Sequence, residues 1–136
     1  MIRNILLFSF LIMFRVQPLS PCRLWAVCTK TDVTLNTVSA QELAILNSEL
    51  YTLYIQSQYN PNGWALLRYD HEQTYPLEPL MRSEQAAYED SAIYWQTVNI
   101  LLQEGAGKIG IGHVRAATSG ASNIPNPHPW LFHDDR

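Results

Sequence analysis

The segment from residue 39 to residue 58 has the clearest local signature in the sequence. Ser39 is followed three positions later by Glu42. This is the spacing of a capping box, in which the serine hydroxyl and the glutamate carboxylate satisfy the first free amides of a helix. Apolar side chains then recur at helical spacing, at Leu43, Leu46, Leu50, Leu53 and Tyr54. The pattern predicts a helix with one buried face, which ends before the turn signal Asn60-Pro61-Asn62-Gly63.

Shorter apolar runs lie on both sides of this helix. Residues 24–27, 64–69 and 109–113 have the length or alternation of strands, and residues 130–133 could begin another. A second helix is predicted over about residues 83–104, before Gly105 and Gly107. Strands mixed with helices indicate the α/β or the α+β class, and periodicity alone does not separate the two.

Composition limits the kind of protein this can be. The chain has 136 residues, of which 47% are hydrophobic and 15% charged, so one small domain with a buried core is expected. Only nine lysines and arginines are present, they are scattered, and the formal net charge is −3. A nucleic-acid partner is therefore not expected.

Residues 1–21 differ from the rest and form a predicted leader. Arg3 precedes an apolar run over residues 5–14. That run resembles a secretory signal, and it is shorter than the roughly 20 residues of a membrane-spanning helix, so no stable membrane insertion is expected. Pro21 occupies the position before Cys22, where a signal cleavage site normally has a small residue, and Arg15 follows the apolar run directly. A true signal, a removable pro-segment and an unused upstream start all stay open. The expected location is cytoplasmic, or exported if the signal is real.

Cys22 and Cys28 are the two cysteines. On one strand they would share a face, because they are six positions apart, yet they would lie too far apart for a disulfide. Cys22 is a candidate nucleophile, since a free α-amine could serve as its base if it were the first residue of the mature chain. The alternative is a buried structural cysteine.

Two further groups of residues could take part in chemistry. Arg115 follows a predicted strand and could grip a carboxylate with two hydrogen bonds, supported by Thr118, although an exposed arginine is the simpler alternative. His128 and His133 lie five positions apart in the last segment. Their spacing is a weak match to a zinc site, and no metal is expected.

Four segments occur in the order found in class II glutamine amidotransferases. They are residues 22–27, the turn at 60–64, residues 113–120 and residues 126–129. From Cys22 to about His133 the chain resembles this family, most closely its stand-alone amidotransferase-like branch. The resemblance implies an α+β fold, the four-layer α/β/β/α sandwich of N-terminal-nucleophile hydrolases. Residues 22–136 would be its N-terminal part, so the sandwich would be incomplete.

The resemblance also implies an activity, the hydrolysis of the side-chain amide of glutamine or of a γ-glutamyl compound, without a cofactor. Cys22 would attack that amide with its own amine as base and form a thioester. Arg115 would bind the substrate α-carboxylate with support from Thr118, and His128 would order a loop.

The sequence departs from the family pattern in three ways. Cys22 is internal, so activity would require processing or a later start. Asp134 and Asp135 stand where the family has the Asn-Gly pair of its oxyanion hole, and a carboxylate would repel the developing negative charge. The family also continues for roughly another half of the domain beyond Arg136, including the acidic residue that grips the substrate amine.

The Asp134-Asp135 pair and the early stop favour an alternative, a catalytically inactive truncated remnant or interaction module of the same fold. A truncated sandwich would expose strand edges, which is why a homo-oligomer stays open. A third alternative, an exported thiol protein, rests only on the leader.

Overall fold

A computed structural model of the chain describes residues 21–30, 32–69, 80–104 and 107–117. These residues form an α+β domain with one antiparallel sheet and two α-helices. In chain order the elements are β1 (Arg23–Cys28), α1 (Ala40–Gln56), β2 (Trp64–Tyr69), β3 (Met81–Ser83), α2 (Ser91–Gln103) and β4 (Ile109–Val114), with a 3₁₀ turn at Leu35–Thr37 before α1.

The strands are ordered β1-β4-β2-β3 in the sheet, and every neighbouring pair is antiparallel. Val114, the last residue of β4, pairs with Arg23, the first residue of β1, and with Trp64, the first residue of β2. The three strands therefore share one end of the sheet. The antiparallel pairing decides between the two classes that the sequence left open, in favour of α+β.

Both helices pack on the same face of the sheet. Directly opposed residues of neighbouring strands point to one face, and those on the helical face include Trp25, Trp64 and Val114. The buried core joins this face to both helices through Leu35, Leu46, Leu50, Leu53, Trp64, Leu66, Ala87, Tyr94, Val98, Leu101, Leu102 and Val114. Gly112 lets α1 approach closely, since a Cβ built there would lie 2.8 Å from Leu53 Cδ2.

The predicted capping box at the start of α1 is confirmed. The Ser39 hydroxyl accepts a hydrogen bond from the Glu42 amide at 3.3 Å, and the Ser39 amide donates to the Glu42 carboxylate at 2.9 Å. The hydrogen bonds from the Ser39 side chain and backbone lower the pKa of Glu42 below its usual value. Three of the predicted apolar positions, Leu46, Leu50 and Leu53, are buried, as the helical spacing requires.

The prediction that the second helix begins near residue 83 is wrong. Residues Met81–Ser83 pair with β2 as strand β3, and α2 begins only at Ser91. Between them the chain turns, because the amides of Glu89 and Asp90 both donate to the Ala86 carbonyl at 3.0 Å. α2 is then tied to α1 by the Tyr94 hydroxyl, which donates to the Leu50 carbonyl at 2.8 Å.

Several predictions fall on residues that the structure does not describe. They are the leader at 1–21 except Pro21, the loop within 70–79, the strand at 130–133, and the altered positions Asp134 and Asp135. Of the helices in the described ranges, none combines the length and the apolar character needed to cross a bilayer.

Candidate functional site

Cys22 lies immediately before β1, at the end of the sheet where β4 finishes. Its thiol is exposed and donates a hydrogen bond to the Ala116 carbonyl, with a sulfur-to-oxygen distance of 3.4 Å. Cys22 and Ala116 are 94 positions apart in the sequence. The antiparallel pairing of β1 with β4 brings them together, because it aligns Arg23 with Val114.

Arg115 lies between Cys22 and the turn that precedes β2. It directly follows Val114, so the next pair along the β1–β4 register is Cys22 with Arg115. On the other side, the Arg115 amide donates to the Gly63 carbonyl at 2.9 Å, which extends the β2–β4 ladder by one residue. Opposed residues of antiparallel strands have Cα atoms about 4.5–5.5 Å apart, so the three residues meet in one short row.

The turn before β2 also binds Arg115 and Ala117 through hydrogen bonds to Asn62. The Asn62 amide donates to the Arg115 carbonyl at 2.9 Å, and the Asn62 side-chain oxygen accepts a hydrogen bond from the Ala117 amide at 2.9 Å. Gly63 has a φ of 115°, a left-handed conformation that suits glycine. The turn therefore forms one wall of the candidate site.

The two cysteines lie at opposite ends of β1 and are both free and exposed. Cys28 borders an apolar cavity of about 250 Å³ between β1 and the start of α1. Neither Cys22 nor Arg115 lines that cavity, so it is not part of the candidate site.

Arg115 is buried, in contrast to the exposed arginine that the sequence offered as the simpler alternative. Arg115 is only 7% exposed. Its backbone lies beside that of Cys22 at the end of β4, where the Cys22 thiol is exposed.

The remaining predicted site residues, Thr118, His128, Asp134 and Asp135, lie outside the described residues. Within residues 21–30, 32–69, 80–104 and 107–117, no group of three His, Cys, Asp or Glu side chains could hold a metal ion.

Known proteins give no guide to this arrangement. Comparison with protein-family models, with curated proteins and with solved structures finds no match. The assignment of a function therefore rests on the residues themselves.

Asn62 is the residue of this site that the sequence did not single out. Its turn was predicted, but its contact with Ala117 spans 55 positions. No local pattern carries such a contact, because it depends on the pairing of β2 with β4.

Proposed function

We propose that this chain is a glutamine amidotransferase-like amidohydrolase that hydrolyses the side-chain amide of glutamine or of a γ-glutamyl compound. The observation that carries the proposal is the meeting of Cys22, the Asn62-Gly63 turn and Arg115 at one end of the sheet. These are three of the four segments in which the chain resembles class II glutamine amidotransferases. They are far apart in the sequence, so their meeting is an independent support for the resemblance.

In the proposed reaction, removal of the residues before Cys22 frees its α-amine. The amine takes the thiol proton, and the thiolate attacks the amide carbon of the substrate. The tetrahedral intermediate collapses as the amide nitrogen accepts a proton and leaves, as ammonia from glutamine or as an amine from a γ-glutamyl compound, so that a thioester forms. Water then attacks the thioester, releasing glutamate and restoring the thiol.

Arg115 would hold the substrate by its α-carboxylate during these steps, with Thr118 in support. A planar guanidinium can donate two parallel hydrogen bonds to a carboxylate. His128 would order a loop. No cofactor enters this scheme.

The proposed complete architecture is the four-layer sandwich of N-terminal-nucleophile hydrolases, with the described sheet as one of its two inner layers. The sheet face turned away from the helices supports this, because it is mostly apolar and partly exposed. It carries Leu24, Ala26, Ala65, Leu67 and Ile111 in opposed positions, with His113 between Leu24 and Ala65. Ala65, Leu67 and His113 are buried, so the exposed part of the face is on β1. Leu24 is 69% exposed and Ala26 is also exposed, and a second sheet packed about 10 Å away would cover these side chains.

A second candidate function is an inactive remnant or interaction module of the same fold, and a specific observation favours it. Asp134 and Asp135 occupy the positions of the expected oxyanion hole. A carboxylate there would raise the energy of the negatively charged intermediate, and the loss of one oxyanion-hole donor alone costs about 100-fold to 1,000-fold in rate.

The first test is the mass and the N-terminal sequence of the protein purified from its own cells, followed by a glutaminase assay. A mature chain that starts at Cys22 and releases glutamate is the expected result. Cys22→Ala should abolish turnover, whereas Cys28→Ala, the matched control at the far end of β1, should retain it. A chain that keeps Met1 leaves Cys22 without its amine, and that result would replace the enzyme by the inactive remnant.

A further inference from the structure

We propose that Asn62 is the positioning residue of the candidate site, which fixes the segment 115–117 against Cys22. This inference rests on the proposed function for its meaning, since the roles of Cys22 and Arg115 come from there. The contacts that carry it are four hydrogen bonds among the described residues.

Asn62 holds this segment at two points. Its backbone amide donates to the Arg115 carbonyl, and its side-chain Oδ1 accepts from the Ala117 amide, both at 2.9 Å. Ala116 lies between these two anchors, and its carbonyl is the group that accepts the hydrogen bond from the Cys22 thiol. The position of that carbonyl is therefore set from both sides by a single residue.

The side chain of Asn62 suits this place for a chemical reason. The Ala117 amide donates, so the side chain must present an acceptor on a short arm. Asparagine and aspartate both supply such an oxygen at the same length, and alanine supplies none. Asp at position 62 should therefore keep the anchor that Ala would lose.

The consequence for the proposed reaction concerns the spacing of two groups. The substrate carboxylate would be held at Arg115, and the amide carbon must reach the Cys22 thiol. Without the Ala117 anchor, the segment after β4 is tied to the turn by backbone hydrogen bonds at Arg115 alone. Small displacements of positioning groups are enough to cost large factors in rate.

The test compares the alkylation rates of the two cysteines in the full chain with iodoacetamide, resolved by peptide mass spectrometry. Cys28 is the internal reference, because it is also exposed but lies at the far end of β1 from Cys22. In Asn62→Ala we expect the Cys22 rate, relative to Cys28, to change by about threefold as the thiol loses its fixed acceptor. Asn62→Asp should restore the wild-type ratio, measured in 0.5 M potassium chloride, where the Debye length is about 4 Å and screens the added charge.

Asn60→Ala is the matched variant, since it truncates an amide in the same turn whose Nδ2 donates to the Gln56 carbonyl and not to the segment after β4. It should leave the ratio unchanged. General unfolding would raise the rates of both cysteines together, which separates it from a local effect. Ala117 amide exchange, followed by NMR, should be faster in Asn62→Ala than in wild type and Asn62→Asp.

Equal Cys22-to-Cys28 ratios in wild type and Asn62→Ala, or an Asp variant as altered as the Ala variant, would overturn the inference. Neither measurement needs glutaminase turnover, so an inactive chain would refute the proposed function and leave this result standing. Where turnover is present, Asn62→Ala should raise KM more than it lowers kcat, because the anchor holds the segment that carries the carboxylate ligand.

Discussion

Adding one methyl group at Gly112 should measurably destabilise the domain. Gly112 is in the central strand β4, on the face that packs against α1. A Cβ at this position would lie 2.8 Å from Leu53 Cδ2 and 3.0 Å from Leu66 Cδ2. Carbon atoms in contact prefer about 3.5–4.0 Å, so both leucines would have to retreat by about 0.5–1 Å.

The size of the effect follows from how little room these leucines have. Leu53 is 3% exposed and Leu66 is 0% exposed, and both belong to the buried core. Overpacking a core of this kind costs about 1–3 kcal/mol. Alanine gains back about 0.5–1 kcal/mol over glycine in a strand. Because both leucines are buried, the overpacking cost should lie in the upper part of its range, at about 2–3 kcal/mol. The expected net loss for Gly112→Ala is then about 1–2.5 kcal/mol of unfolding free energy.

Gly110→Ala is the matched control. Its Cβ would meet Trp25 and Val27 at 3.1 Å, and these side chains are only half-buried on the outer strand β1 and can move outward. The net change there should stay within about 0.5 kcal/mol. Urea unfolding followed by tryptophan fluorescence should show a midpoint lower by about 0.5–1 M for Gly112→Ala. If both variants unfold at the same urea concentration, α1 does not pack on Gly112 as described.

Two further predictions concern pH. The lowered pKa of Glu42 contributes stability that is present above the usual value of 4.5 and is lost as the pH falls through the lowered value. Glu42→Gln keeps an uncharged cap. Its thermal stability, followed by circular dichroism, should therefore fall less steeply than that of wild type between about pH 6 and about pH 3. Burial, and then the nearby Tyr54, raise the pKa of Tyr94 above its usual 10.0, so its neutral form stabilises the fold below pH 10 and that contribution is lost as the pH rises. Tyr94→Phe should cost about 1 kcal/mol at neutral pH through the lost bond to Leu50, and should lose less stability than wild type at alkaline pH. If the Glu42 variant has the pH profile of wild type, the pKa of Glu42 is not lowered by folding. The same result for the Tyr94 variant would contradict the raised pKa of Tyr94.

Local patterns predicted the elements whose sequence signature lies within a few neighbouring residues. The capping box at Ser39 and the strand over residues 64–69 agree with α1 and β2 because both signals depend on neighbours within a few positions. The predicted start of the second helix was wrong because contacts with distant residues decide the structure there. Residues 81–83 pair with β2, and the Tyr88 amide donates to the Ser57 hydroxyl at 2.8 Å, so tertiary contacts override the helical spacing there.

The candidate site was predictable in its residue types but not in its geometry. Cys22 and Arg115 were chosen for their chemistry and by the family resemblance, and the structure brings them to one end of the sheet. The order β1-β4-β2-β3 could not be derived from the sequence, because alternation gives the faces of a strand but not its neighbours. The anchoring contacts of Asn62 depend on that order and were missed with it.

The central position of β4 has a consequence for the order of events during synthesis. β4 lies between β1 and β2, yet it is the last of the four strands to leave the ribosome. Ala116 follows Cys22 by 94 positions, so at about 5–20 residues per second the thiol waits about 5–20 s for its acceptor. Through that interval the helices can form, but β1 has no partner strand among the residues that the structure describes. Any processing before Cys22 that depends on the assembled site can therefore take place only after β4 has been synthesised.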